Sequence, residues 1–183
     1  MRGKLETIVG AMFAGKTSEL LKRILWAKHQ SKKIIVIKPI IDDRYDQEKI
    51  ITHNDLSHDC FSMKNWKHVN DNFKFNKDIV DVVFLDEIQF MDNAQMYDNV
   101  ELWLSRGVNV IGAGLDQDSR GVPFESACTL MGLADTVEKI VAVCNTCGKP
   151  ATKTYRLEAS GDRVQVGSMG MYEPRCVEHW EPK

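Results

Sequence analysis

The stretch from Leu5 to Thr17 constrains this 183-residue chain more than any other. Leu5 to Val9 reads as a short buried strand, broken by Gly10-Ala11-Met12-Phe13-Ala14-Gly15-Lys16-Thr17. Glycine, four residues, then glycine-lysine-threonine is the phosphate-loop pattern, and it belongs between a strand and a helix. The glycines let the backbone curl closely around a phosphate chain with its amides turned inward. The helix N-terminus adds positive potential. Lys16 is then placed to reach the β- and γ-phosphates of ATP, and the Thr17 hydroxyl to hold Mg²⁺. The helix that must follow has apolar Leu20, Leu21, Ile24 and Leu25 at helical spacing. A chance glycine-rich turn is the competing reading, and the correct flanks speak against it.

Further strands alternate with helices. Ile34 to Ile37 is a second strand, whose unbroken β-branched run suits a parallel strand covered on both faces. Residues 41 to 78 are polar and read as a long, partly mobile connection with one weak helix. Val80 to Leu85 is a third strand. Asp92 to Arg106 is a helix stopped at Gly107. Val108 to Ile111 is a fourth strand, Phe124 to Ala134 a helix, and Lys139 to Val143 a fifth strand. This alternation predicts an α/β fold with a mainly parallel sheet. At Cys144 the character changes. Thr152 to Leu157 and Arg163 to Val166 read as a hairpin around Gly161-Asp162. The expected division is a nucleotide-binding core over 1–143 and a small metal-knit subdomain over 144–183.

The third strand ends in Val82-Val83-Phe84-Leu85-Asp86-Glu87. Parallel sheets place their chemistry at the carboxyl ends of strands. Asp86 is the candidate Mg²⁺ partner of the phosphate loop. Glu87 falls beside the γ-phosphate, where a carboxylate can accept a proton from an attacking hydroxyl. These two residues alone leave open whether that hydroxyl belongs to water or to an alcohol. The bland reading is that both acids cap the next segment.

Five cysteines occur, and the last three are clustered. An odd, clustered set argues against a disulfide framework. Cys144-Asn145-Thr146-Cys147 and Cys176-Val177-Glu178-His179 flank the expected hairpin and match a tetrahedral Zn²⁺ site of three thiolates and one imidazole. With all four positions filled by protein, the site should be structural. It would fasten a tail too short to build its own core. Cys60 and Cys128 lack partners at ligand spacing.

Lysine plus arginine total 24 and aspartate plus glutamate 26, for a net charge of −2. No global positive field therefore draws in nucleic acid or an anionic membrane. No apolar run approaches the roughly 20 residues of a membrane helix. The charged opening Met1–Glu6 does not read as a signal peptide. The expected compartment is the cytoplasm, with neither nucleic acid nor membrane as partner.

The motifs together resemble the cytosolic-type, zinc-containing thymidine kinases, a class with a RecA-like phosphate-loop core and a small zinc-ribbon-like subdomain. The resemblance runs from about Thr7 to His179. Met12 to Thr17 resembles the family's phosphate loop. Asp86-Glu87-Ile88-Gln89-Phe90 resembles its acidic motif, and Asp42, Asp43, Arg44 and Tyr45 its D-x-R-Y segment. Leu115-Asp116 with Arg120 and Pro123-Phe124 resembles its L-D-x-x-x-R-x-x-P-F stretch. The resemblance implies transfer of the ATP γ-phosphoryl group to the 5′-hydroxyl of thymidine, giving dTMP. It casts Glu87 as the base and Arg44 as a charge near the transferring phosphate. It implies a nucleotide site of Gly10 to Thr17 with Asp42, Asp43, Asp86, Ile88 and Gln89. It places Met12, Phe90, Leu115, Ser119, Phe124 and Thr154 around the base, beneath a lasso loop of Arg163, Val164, Gln165, Val166 and Gly167, with Tyr172 stacking. A homotetramer and feedback by dTTP are implied as well. Ser119 stands where the family usually has phenylalanine, which removes about 0.5–1.5 kcal/mol of aromatic contact unless something replaces it. The alternatives are a kinase for another deoxynucleoside, such as deoxyuridine, and a nucleic-acid-linked ATPase gripping phosphates with Lys149, Lys153, Arg156 and Arg163.

Overall fold

A computed structural model describes residues 1–40, 49–51, 57–158 and 170–181. In chain order the elements are β1 (Leu5–Val9), α1 (Lys16–His29), β2 (Ile34–Pro39), β3 (Lys49–Ile51), β4 (Ser57–Asp59), β5 (Phe61–Met63) and α2 (Trp66–Asn72). Then come β6 (Val82–Leu85), a 3₁₀ turn (Ile88–Phe90), α3 (Asn93–Ser105), β7 (Asn109–Gly114), α4 (Glu125–Leu133) and β8 (Thr136–Lys139). The tail holds β9 (Ala142–Val143), β10 (Pro150–Ala151), β11 (Lys153–Arg156), β12 (Tyr172–Arg175) and a 3₁₀ turn (Val177–His179).

Six strands form one sheet in the order β5-β2-β6-β7-β1-β8. Every pairing in it is parallel. The expected α/β fold with a mainly parallel sheet is the observed one, a six-stranded parallel core followed by small antiparallel pairs and a Cys₃His cluster. β1, which feeds the phosphate loop, is separated from the acidic strand β6 by β7 alone. Val9 lies opposite Gly114, and Gly112 opposite Leu85, so these three strand ends share one edge.

Both faces of the sheet are covered, because neighbouring residues of each strand point to opposite sides. Val82 and Phe84 join Ile8, Val36 and Ala113 against Leu20, Leu21, Ile24 and Ala27 of α1. Val83 and Leu85 join Leu5, Ile37 and Val110 against Trp66 and Val69 of α2, Met96, Val100 and Trp103 of α3, and Leu130 of α4. Each such large side chain contributes about 1.5–3 kcal/mol by leaving water. The Asp92 side chain accepts from the Gln95 amide at 2.9 Å to open α3, and Gly107 at φ 81 follows its end. Among the described residues, no helix is long and apolar enough to cross a membrane.

Several local expectations are corrected. Leu25 is 58% exposed, and Ala27 takes the buried place on α1. The segment 41–78 contains more than one weak helix: β3 and β4 pair antiparallel, and β5 joins the sheet beside β2. The strand expected from Lys139 to Val143 is two strands. β8 ends at Lys139 as the parallel partner of β1, and β9 pairs antiparallel with β10. The strand opposite β11 is β12. Residues 163–166, expected in that place, lie outside the described residues.

Candidate active site and metal cluster

The candidate phosphate loop, Gly10 to Thr17, spans the step from β1 to α1. Gly15 takes a left-handed conformation at φ 89 and opens the helix. A Cβ added to Gly15 would meet nothing within 4 Å, so the loop leaves an open cradle there. Among the described residues, the non-glycine residues at positive φ are Phe13 (63), Ser31 (56) and Glu87 (54). Two of these three belong to the site, and such conformations persist only where their surroundings enforce them. Ala11 is fully buried. Lys16 turns its Nζ onto the Ala11 carbonyl at 2.7 Å.

Asp86 and Glu87 leave the end of β6 toward Lys16. Burial pushes the Asp86 carboxyl up to about 7; the Glu87 charge adds to this, while Lys38 and Lys16 pull against it. Burial also holds the Lys16 ammonium below its usual range, although Glu87, Asp86 and Asp116 favour its charge. Three acidic side chains thus lie near enough to Lys16 to favour its charge. Glu87 is held from the side, since the Gln89 Nε2 donates to its Oε2 at 2.5 Å. The Gln89 Oε1 in turn accepts from the Leu115 amide at 2.9 Å. The Ile88 side chain belongs to the core.

Thr154, on β11, is 2% exposed and accepts the Met12 amide on its Oγ1 at 3.0 Å. The tail therefore touches the phosphate loop directly. Phe124 and Tyr172 are buried, and Leu115 packs at the edge of the larger core. Met12, Phe90 and Ser119 are half-buried. Asp42, Asp43, Arg44 and the segment from Arg163 to Gly167 lie outside the described residues.

Three contacts had escaped sequence reasoning. The first is the Thr154–Met12 bond. The second is a clasp across the end of β1, where Lys139 on β8 reaches the Asp116 Oδ2 beyond β7 at 2.6 Å. The Asp116 Oδ1 is buried and has no hydrogen-bond partner among the described residues. The third is Arg156, buried on β11, which donates from its Nη2 to the Tyr172 hydroxyl at 2.8 Å. Nothing in the local sequence pattern signals these contacts.

The donor atoms of Cys144, Cys147, Cys176 and His179 all lie within 4.8 Å of one another. The Cys147 and Cys176 sulfurs are 3.7 Å apart, and the Cys176 sulfur lies 3.2 Å from His179 Nδ1. Burial raises the Cys144 thiol, but backbone groups of Cys176, Thr146 and Cys147 outweigh this and bring it to about 6. A low-lying thiolate among soft donors at this spacing fits Zn²⁺.

The basic side chains nearby are engaged within the protein. Lys149 pairs with Glu178 at 2.8 Å, Lys153 donates to Gln117 Oε1 at 2.8 Å, and Arg156 is buried. Arg163 lies outside the described residues.

A sequence model of the family described as thymidine kinase matches residues 3–180. Among solved structures, domain III of the replication initiation protein DnaA from Thermotoga maritima is similar at 14% identity, with a TM-score of 0.43. That likeness covers 76% of this chain and 55% of that one, so the chain spans about half the length of that relative.

Proposed function

The chain belongs to the thymidine kinase family, and from that premise we propose that it transfers the γ-phosphoryl group of ATP to the 5′-hydroxyl of thymidine, giving ADP and dTMP. The observation that carries the reading is the family match across residues 3–180. The convergence of Lys16, Asp86 and Glu87 on one sheet edge supports it.

In this reading the backbone from Gly10 to Thr17 wraps the triphosphate, and Lys16 leaves the Ala11 carbonyl for the β- and γ-phosphates. Thr17 and Asp86 would hold Mg²⁺, which supplies positive charge to the phosphoryl oxygens. Asp42 and Asp43 belong to the nucleotide side, and Arg44 adds charge near the transferring phosphate. Glu87, oriented by Gln89, takes the proton of the 5′-hydroxyl. Met12, Phe90, Leu115, Ser119, Phe124, Thr154 and Tyr172 surround the base beneath the loop from Arg163 to Gly167. Cys144, Cys147, Cys176 and His179 would hold Zn²⁺ as a structural closure of the 144–183 subdomain. A cytoplasmic homotetramer restrained by dTTP completes the proposal.

The test supplies ATP, Mg²⁺ and thymidine and measures dTMP, with deoxyuridine and deoxycytidine in parallel, since each differs at a few ring atoms. Glu87→Gln should keep nucleotide binding while kcat falls by about 10²–10⁴. Full turnover in that variant removes Glu87 from the role of base. ATP hydrolysis stimulated by DNA, with no nucleoside phosphorylated, favours the nucleic-acid-linked ATPase instead.

A further inference from the structure

Trp180 directly follows His179, the last donor of the cysteine cluster, and its indole reaches away from the cluster to two places. Its Nε1–H donates to the Thr154 carbonyl of β11 at 3.1 Å. Its six-membered ring lies against Gly121. A Cβ there would sit 2.7 Å from the Trp180 Cη2 and 3.2 Å from its Cζ2, and Gly121 has φ +78. Glycine alone makes room for the ring and takes that backbone conformation easily.

Gly121 lies at the turn of the segment joining β7 to α4. The Asp118 carboxylate accepts from the Arg120 and Val122 amides at 2.9 Å each, which makes this turn a preformed unit. Two further bonds draw it to the start of β11. The Gln117 Nε2 donates to the Thr152 carbonyl at 3.1 Å, and the Lys153 Nζ donates to the Gln117 Oε1 at 2.8 Å. The Lys153 Nζ also lies 4.7 Å from the Trp180 ring centroid. The turn carries Ser119, the small residue where a ring is usual, and runs into Phe124. The same Thr154 that receives the indole N–H on its carbonyl accepts the Met12 amide on its Oγ1. One indole thus links the metal cluster, the turn and the strand that touches the phosphate loop.

We propose that Trp180 is a positioning residue for the nucleoside: it clamps the 116–124 turn to β11, so that closure of the Cys₃His cluster sets the nucleoside end of the site. The proposal rests on the thymidine kinase reading. The test uses the full zinc-loaded chain. In Trp180→Ala, KM for thymidine should rise about tenfold while KM for ATP stays within about twofold. Zinc content should remain that of the wild type. Trp180→Phe keeps a ring over Gly121 without the N–H, and about a threefold rise in thymidine KM is expected. A merely structural role would lower the active fraction, and hence kcat, with KM unmoved.

A second readout needs no turnover. Chelating the zinc should shift the indole emission of the wild type beyond any shift in Trp180→Phe. Unchanged thymidine KM in both variants overturns the proposal, and so does a chelator response equal in wild type and Trp180→Phe. Should Trp180→Ala fail to fold, Trp180→Phe and the emission decide. A wild type that phosphorylates no thymidine defeats the kinase reading instead, and the emission still tests the clamp.

Discussion

Asp86 shows how one residue can trade stability for chemistry. Its carboxyl ordinarily titrates at 3.8, and burial followed by the Glu87 charge raises it to about 7 in the fold. The folded chain therefore binds more protons than the unfolded chain between those values, so stability falls as pH rises from about 4 to about 7. Above about 7 the whole penalty is present; below about 4 none of it is. Asp86→Asn removes the ionisable group from the same space. It should raise Tm, by about 2–4 °C for each kcal/mol relieved, and by more at pH 8 than at pH 5. If Asp86 holds Mg²⁺ as proposed, the same substitution should weaken Mg²⁺-dependent nucleotide binding by about tenfold or more, because a neutral amide would replace the carboxylate. Thermal melts at the two pH values, with and without ATP and Mg²⁺, check both halves. An equal Tm gain at both values would mean that the buried charge is not what burdens the fold.

At the scale of elements, the decisive packing is the turn after β6 against the end of β7. A Cβ on Gly114 would lie 2.4 Å from Gln89 Oε1, 2.6 Å from Ile88 Cγ1 and 3.0 Å from the Ile88 amide nitrogen. Ile88 is fixed in the core and cannot give way. Gly114→Ala should therefore push the turn outward, break the bond from the Leu115 amide to Gln89 and release Glu87. The expected loss of stability is about 1–3 kcal/mol by urea unfolding, with a fall in kcat larger than the loss of folded protein explains. Unaltered kcat in the folded fraction would show that this contact does not aim Glu87. The sequence made β6 legible, because four apolar residues ending in two acids have few other uses. The turn was not legible, since Glu87 takes a left-handed conformation that no local pattern announces. β8 was misplaced for a related reason. Thr136-Val137-Glu138-Lys139 is an edge strand with mostly exposed side chains, so it lacks the apolar run that marks its neighbours. β5 was missed because three residues are too few to show a period.

For the molecule as a whole, two large cores and one very small one explain what the metal would do. The two sheet faces hold the large cores, whereas the apolar cluster of the tail is Ala142, Cys144, Ala151 and Cys176, with Ala14 packed against them and Thr154, Tyr155, Arg156 and Tyr172 buried on the neighbouring strands. The Cys₃His cluster was legible because metal chemistry fixes its residue types and intervals. The link from the tail to the loop after β1 was not, because Thr154–Met12 and Lys139–Asp116 join residues brought together only by tertiary packing. So small an apolar cluster offsets only part of the entropy of ordering the tail, at about 1–2 kcal/mol for each ordered residue. Zinc held by Cys144, Cys147, Cys176 and His179 would add to that offset. Chelating the zinc should therefore abolish amide-exchange protection at β9 to β12 while the amides of β1, β6 and β7 stay protected. The Met12 amide should lose protection with the tail, because its acceptor is the Thr154 hydroxyl. Protection of Met12 that outlasts the tail would mean that the phosphate loop holds its shape alone. Protection lost across β6 and β7 as well would mean that the small core stabilises the large ones. The predicted pattern, tail and Met12 together, makes the metal a remote support for the nucleotide site without making it a catalyst.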